Sequence, residues 1–204
     1  MTETDVANMA LSRLGEKRIS AISENSPSAI SCRTHYETVR DSLLRAHPWN
    51  FAAARASLSA TDTPAFKWAY AFTLPADFLR LSTFNGIEAA MATADYRIEG
   101  GELLTDEETA KITYVRRVTD PTQFDSLFVE VIVFRLASAI AMDVTSEPSK
   151  RDEMEQLAAF RLSSASFVDA NENRARVSSP LSEMTARVRG IPQGLVYPYD
   201  TQNP

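Results

Sequence analysis

Cysteine is almost absent from this chain of 204 residues, where Cys32 stands alone. An intrachain disulfide is therefore impossible, and a cysteine-based zinc site is implausible. Histidine is nearly as scarce. His35 and His47 are too few for a His-rich metal site and do not form a His-x-x-x-His pair. Long apolar runs are missing too: the longest, Leu127 to Met142, is interrupted by Glu130 and Arg135. It is too short and too charged to span a bilayer. The start, Met1-Thr2-Glu3-Thr4-Asp5, is acidic and lacks the charged-then-apolar pattern of a signal peptide. No Asn-x-Ser/Thr acceptor occurs, so the protein is expected to be made and to fold in a cytoplasm. Excess positive charge is lacking as well. A formal charge of −6 argues against a chain whose main task is gripping nucleic acid through phosphates. A wall that DNA merely slides past is compatible with it.

What is present is an ordinary globular composition, 44% hydrophobic and 24% charged, enough to bury a real core. Thr2 or Thr4 can cap a first helix along which Val6, Met9, Ala10, Leu11 and Leu14 form a stripe, and Gly15 supplies its stop. Ser26-Pro27 is a second start signal. From there Ala29, Cys32, Tyr36, Val39, Leu43 and Ala46 fall at alternating three- and four-residue steps, a core-facing seam. Arg33, Glu37, Arg40 and Asp41 are expected on solvated flanks. Pro48 ends or kinks this helix, and Trp49 and Phe51 are read as a structural pin holding the bend to the core.

After Arg55 the period changes to two. Trp68, Tyr70, Phe72 and Leu74 alternate with small residues, and Phe78-Leu79-Arg80-Leu81 suggests a further strand. Tyr96 to Leu104 reads as a hairpin with Gly100-Gly101 at its turn, and Lys111 to Val115 can pair back. The helical period returns at Asp120-Pro121. Leu127 to Met142 is apolar nearly all round, and Met154, Leu157, Ala158, Arg161, Ala165 and Val168 give the stripe of a fourth helix. The expected fold is mainly α: a four-helix bundle-like body (1–55 and 119–170), an inserted antiparallel sheet (56–118) and an extended C-terminal tail (171–204). The tail carries the apolar cluster Ile191, Pro192, Leu195, Val196, Tyr197 and Tyr199, which has no core of its own and is expected to fold back or to dock on another subunit.

Chemistry is hard to find. Asp41, Ser42 and His47 share one helix but have no oxyanion donor near them, and His47 reads as a helix-terminal residue near the last carbonyls. His35 lies off the seam without an evident partner. Asp106-Glu107-Glu108 reads as a solvated loop rather than a cation cage. Glu99 and Glu102 flank an exposed turn, a poor setting for a glycosidase pair. Gly100-Gly101 joins two strands and opens no helix, so it is no phosphate loop. No catalytic, cofactor or metal residue is assigned. Arginine is preferred over lysine, of which there are four among 21 basic residues, and this suits carboxylate-pairing interfaces.

Taken in order, several segments resemble the phage head-to-tail connector family, also called tail tubular protein A. They are Asn8 to Gly15 with Ile19; Ala29 to Tyr36; Arg40-Asp41-Ser42-Leu43-Leu44 running into Trp49-Asn50-Phe51-Ala52; and Tyr70 to Arg80, with its strand-Pro-x-Asp-x-x-Arg form. Tyr96 to Thr105, Tyr114 to Phe128 and Leu136 to Ala141 complete the set. The resemblance spans roughly residues 5 to 165. It implies a virion protein without enzymatic activity, forming a ring, usually of twelve copies, beneath the portal protein. That ring extends the channel for double-stranded DNA, without specific binding, and offers a platform to the tail nozzle protein. In related connectors an extended C-terminal segment grips the portal, which makes the six apolar tail residues the expected portal-docking set. Two alternatives stay open: a connector that also hydrolyses cell-wall glycans, and a cytoplasmic helical adaptor with no virion role.

Overall fold

The computed structural model describes residues 1–61, 64, 66–89, 92 and 95–172. Local signals set the helix starts. In α1 (Glu3–Leu14) Thr2 and Asp5 form a reciprocal capping box, and Gly15 closes the helix in the left-handed region at φ +78°. Ser26 caps α2 (Pro27–Ala46) with Pro27 in the first turn. Thr4 is not a cap; its hydroxyl accepts from the Ile22 amide (3.1 Å) and ties down the loop that joins α1 to α2. Asp125 caps α3 (Ser126–Thr145), and Ser146, also left-handed, turns the chain into α4 (Pro148–Glu172).

The helices pack around α3, whose buried set includes Phe128, Val131, Ile132, Leu136, Ala137, Ile140 and Ala141. On α2 the seam from Ala29 to Leu43 is buried, with Leu44 beside it, but Ala46 is exposed. One flank assignment and one stripe assignment need correction. Arg40 is 3% exposed rather than solvated, its guanidinium held by the neighbouring Asp41 (2.9 Å). On α1, Met9 points outward and Ala7 takes its place in the core. The Asp120-Pro121 signal caps only a single 3-10 turn, Pro121–Gln123, before α3 starts.

Between α2 and α3 lie seven strands: β1 (Ala53–Leu58), β2 (Tyr70–Thr73), β3 (Phe78–Phe84), β4 (Ile87–Glu88), β5 (Tyr96–Glu99), β6 (Glu102–Thr105) and β7 (Ala110–Arg116). The insertion is antiparallel, but the strands divide into two sheets, ordered β1-β7-β3-β4 and β2-β6-β5. The Gly100-Gly101 turn joins β5 to β6, both glycines at positive φ, as a two-residue hairpin requires. The strand beginning at Ala110 pairs not with that hairpin but with β1 and β3. One apolar cluster is shared by the two sheets: Phe72 and Leu103 from one, Leu81, Phe84, Ile112 and Tyr114 from the other. Alternation along β7 (Ala110, Ile112 and Tyr114 inward, Lys111 outward) follows from the period of a strand.

The helical core and the strands meet at Trp49. Its side chain is fully buried, its indole N–H donates to the Leu43 carbonyl (2.9 Å), and its ring packs edge-on against Phe128 (5.1 Å). Phe51, half-buried, contacts Phe124 and Phe128. Replacing Trp49 with alanine removes the largest side chain of this core and is expected to cost about 3–5 kcal/mol. Chemical denaturation measures it; a loss below about 1 kcal/mol would show that the ring carries little of the stability.

Candidate functional site

The joint between α2 and β1 gathers a connected set of polar contacts. Pro48 forces His47 out of helical geometry, to φ −137° and ψ 146°. That rotation turns the imidazole away from the helix end and toward α4. His47 Nε2 donates to Asp169 Oδ2 (2.8 Å), so it does not serve the last carbonyls of α2 as its position suggested. Asp169 is buried. Its other carboxylate oxygen accepts from the Asn50 amide (3.1 Å), and its carbonyl accepts from the Asn50 side chain (2.8 Å). The last turns of α4 are thereby fastened to the joint.

The carbonyls of α2 find a different partner. Arg80, from β3, donates to the Arg45 and Ala46 carbonyls (3.1 and 3.3 Å), a cation at a helix C-terminus. Arg45 answers with a hydrogen bond to the Leu79 carbonyl. On the same segment Asp77 accepts from the Tyr114 hydroxyl (3.0 Å), and its carbonyl accepts from the Arg117 amide (2.6 Å). Pro75-x-Asp77-x-x-Arg80 is thus a brace between the end of α2 and the C-terminal end of β7. Asp41 completes it, one oxygen on Arg40 and the other on Arg117 Nε (2.8 Å).

Ser42 donates to the Val39 carbonyl (2.8 Å), Asp41 is held by two arginines, and His47 is held by Asp169, so the three are engaged separately. His35 has a partner after all, Asp143 on α3 (3.5 Å), whose carboxylate also accepts from Ser31. Glu99 and Glu102 stand opposite each other across β5 and β6. Glu99 pairs with Arg97, and Glu102 accepts from Thr61. Asp106 accepts from the Ala69 amide (2.9 Å), which accounts for its place in the loop. Among the described residues no group of three or more His, Cys, Asp or Glu side chains is arranged to hold a metal ion. No helix of the described residues is long and apolar enough to cross a membrane.

Two surface features among the described residues stand out. On α4, Met154, Ala158, Ala165 and Asp169 face the core, whereas Arg161 and Val168, read as part of that stripe, are exposed. On the opposite face Phe160 and Phe167, two turns apart, are 65% and 72% exposed, with only Ser163 and Ser164 between them on that face. The second feature is the outward side of the four-stranded sheet, which is polar and basic. The six tail residues Ile191, Pro192, Leu195, Val196, Tyr197 and Tyr199 lie outside the described residues. Comparison with protein-family models and with curated proteins found no match to this chain.

Asp169→Ala removes the carboxylate that accepts from the His47 ring and the Asn50 backbone amide, while the Asn50 side chain keeps the carbonyl of residue 169. It should cost about 1–3 kcal/mol and speed amide exchange in the last two turns of α4, as read by hydrogen exchange; unchanged exchange there would mean that the fastening is weak. Cys32 is fully buried, and burial raises its thiol to about 11 from 9.0. The folded chain keeps a proton that the unfolded chain releases, so this residue's contribution to stability is lost as pH rises from about 9 toward 11. Thiol labelling at pH 8 should therefore follow global unfolding, and rapid labelling of the native chain would contradict it.

Proposed function

We propose that this chain is a head-to-tail connector of the tail tubular protein A type, which assembles as a ring beneath a phage portal. The carrying observation is the order and spacing of the segments that resemble that family, together with where they fall in the fold. Arg40-Asp41 and Trp49-Asn50-Phe51-Ala52 form the joint between helices and strands. Pro75-x-Asp77-x-x-Arg80 braces that joint from β3. Leu136 to Ala141 lies in α3, at the centre of the helical core. These three segments each have a physical task in a helical body that carries inserted antiparallel strands.

The surface supports an assembling protein. Phe160 and Phe167 present an uncharged stripe on the outer side of the longest helix, and exposed apolar surface of this kind marks association sites. In this reading the helical body forms the ring wall, copy against copy. The inserted strands project toward the tail nozzle protein, and the C-terminal segment hooks the portal through Ile191, Pro192, Leu195, Val196, Tyr197 and Tyr199. Its place in the cell is then the virion, assembled in the host cytoplasm. No reaction is assigned to it.

Deleting residues 178–204 should abolish capture of the full-length portal from the same genome while leaving the thermal unfolding of the body within a few degrees of the parent. Full portal binding by the truncated chain would remove the hook from the proposal. A chain that shows no portal-bound density by electron microscopy would remove the connector reading itself.

A further inference from the structure

The outward face of the four-stranded sheet brings two exposed cations together, Arg55 from β1 and Lys111 from β7. In the register of β1 and β7, Arg55 lies opposite Thr113 and Ser57 opposite Lys111. Residues two apart on a strand share a face, so Arg55 and Lys111 are diagonal neighbours, roughly 7–8 Å apart. Both are exposed, and neither side chain has a carboxylate or hydrogen-bond partner among the described residues. By contrast Arg40, Arg97, Arg117, Arg135, Lys150, Arg151 and Arg161 each meet an acidic group, and Arg33, Arg45, Arg80 and Arg116 donate to carbonyl or amide oxygens. Two adjacent cations without a counter-charge, in a chain where acids outnumber bases by 27 to 21, mark a place where an anion completes the surface.

The rest of the face narrows the ligand. Ser57, Thr83 and Thr113 line the same shallow depression with Arg55 and Lys111, adding hydroxyl donors suited to phosphate oxygens. Asn85 also lines it, but its amide is committed: the oxygen accepts from the Lys111 amide (2.9 Å), and the nitrogen donates to the Thr109 carbonyl (3.1 Å). It is therefore not available to read a base edge. No aromatic ring lies in the depression on which an unpaired base could stack. The carboxylate of the Arg55-Thr113-Thr83 row is Glu88 on β4, three strands from Arg55, roughly 14 Å at ordinary strand spacing. The depression is open and lies on a sheet face rather than in an enclosed cavity, so it fits an extended backbone better than a captured small anion.

We infer that this face is a contact surface for the phosphodiester backbone of duplex DNA, held by Arg55 and Lys111 without reading sequence. The inference deepens the connector reading and rests on it for what brings DNA to the face, since a ring channel does so. The contact itself belongs to the isolated chain. Its measurement is therefore independent of portal binding, and either result can fail without the other.

The test is a titration of the isotope-labelled full chain followed by amide chemical shifts at low salt, with three probes at equal phosphate concentration: a short mixed-sequence duplex, one of its strands alone, and inorganic phosphate. The duplex is expected to shift Arg55, Ser57, Thr83, Lys111 and Thr113 most. Its affinity should fall with salt at a logarithmic slope of about −1.8, two phosphates at roughly 0.9 each. Arg55→Ala with Lys111→Ala should abolish those shifts, while Arg55→Lys with Lys111→Arg should retain them. Equal shifts from inorganic phosphate would reassign the face to a small anion. Stronger shifts from the single strand, or shifts that survive the double alanine variant, would overturn the proposal.

Discussion

The structure depends on what happens to the chain immediately after α2. A proline at position 48 ends the helix, and the two residues around it then do opposite things. His47 turns out to Asp169 on α4, and Trp49 turns in to Phe128 on α3. The indole N–H on the Leu43 carbonyl matters because a fully buried ring with an unpaired donor would forfeit part of what its burial contributes. A single tripeptide, His47-Pro48-Trp49, thereby fixes the end of α2 against both α3 and α4, and it sets the direction in which β1 leaves. Arg80 then closes the joint from the strand side, covering the helix carbonyls that Pro48 and His47 leave without partners.

The parts of this fold legible in the sequence are those with local causes. Thr2, Ser26-Pro27, Gly15 and Gly100-Gly101 each act within a few residues, and each does in the structure what its chemistry indicates. The α2 seam and the apolar α3 were likewise readable, because helical period and burial coincide there. What was not legible depends on partners far along the chain. Arg40 looks like a surface residue by type, and only the packing of α2 buries it. Asp169 lies 119 residues from Asn50, and nothing local marks an acid near the end of α4 as a core group. The division of the strands into two sheets has the same origin. β7 could have paired with the Gly-Gly hairpin on pattern alone, and its register with β1 and β3 is a tertiary choice.

For function, the polar residues that first invite a catalytic reading are consumed by the joint: Asp41, Ser42 and His47 each have a structural partner. Two surface features among the described residues have no internal role, the Phe160–Phe167 stripe of α4 and the basic face around Arg55 and Lys111. These are contact features, and they differ in kind. An apolar stripe flanked by serines suits close approach of another protein surface, whereas a hydroxyl-lined basic face suits phosphate. Both fit a protein whose task is to stand between other components, and the proposed ring gives each a place.

Assembly on a portal is tested most directly by mass. The chain, 22.6 kDa alone, is weighed under native conditions before and after mixing with the intact portal ring from the same genome. A connector raises the portal's mass by a whole-number multiple of 22.6 kDa equal to the copies in one closed ring. A portal whose mass is unchanged in the presence of excess chain would contradict the connector function.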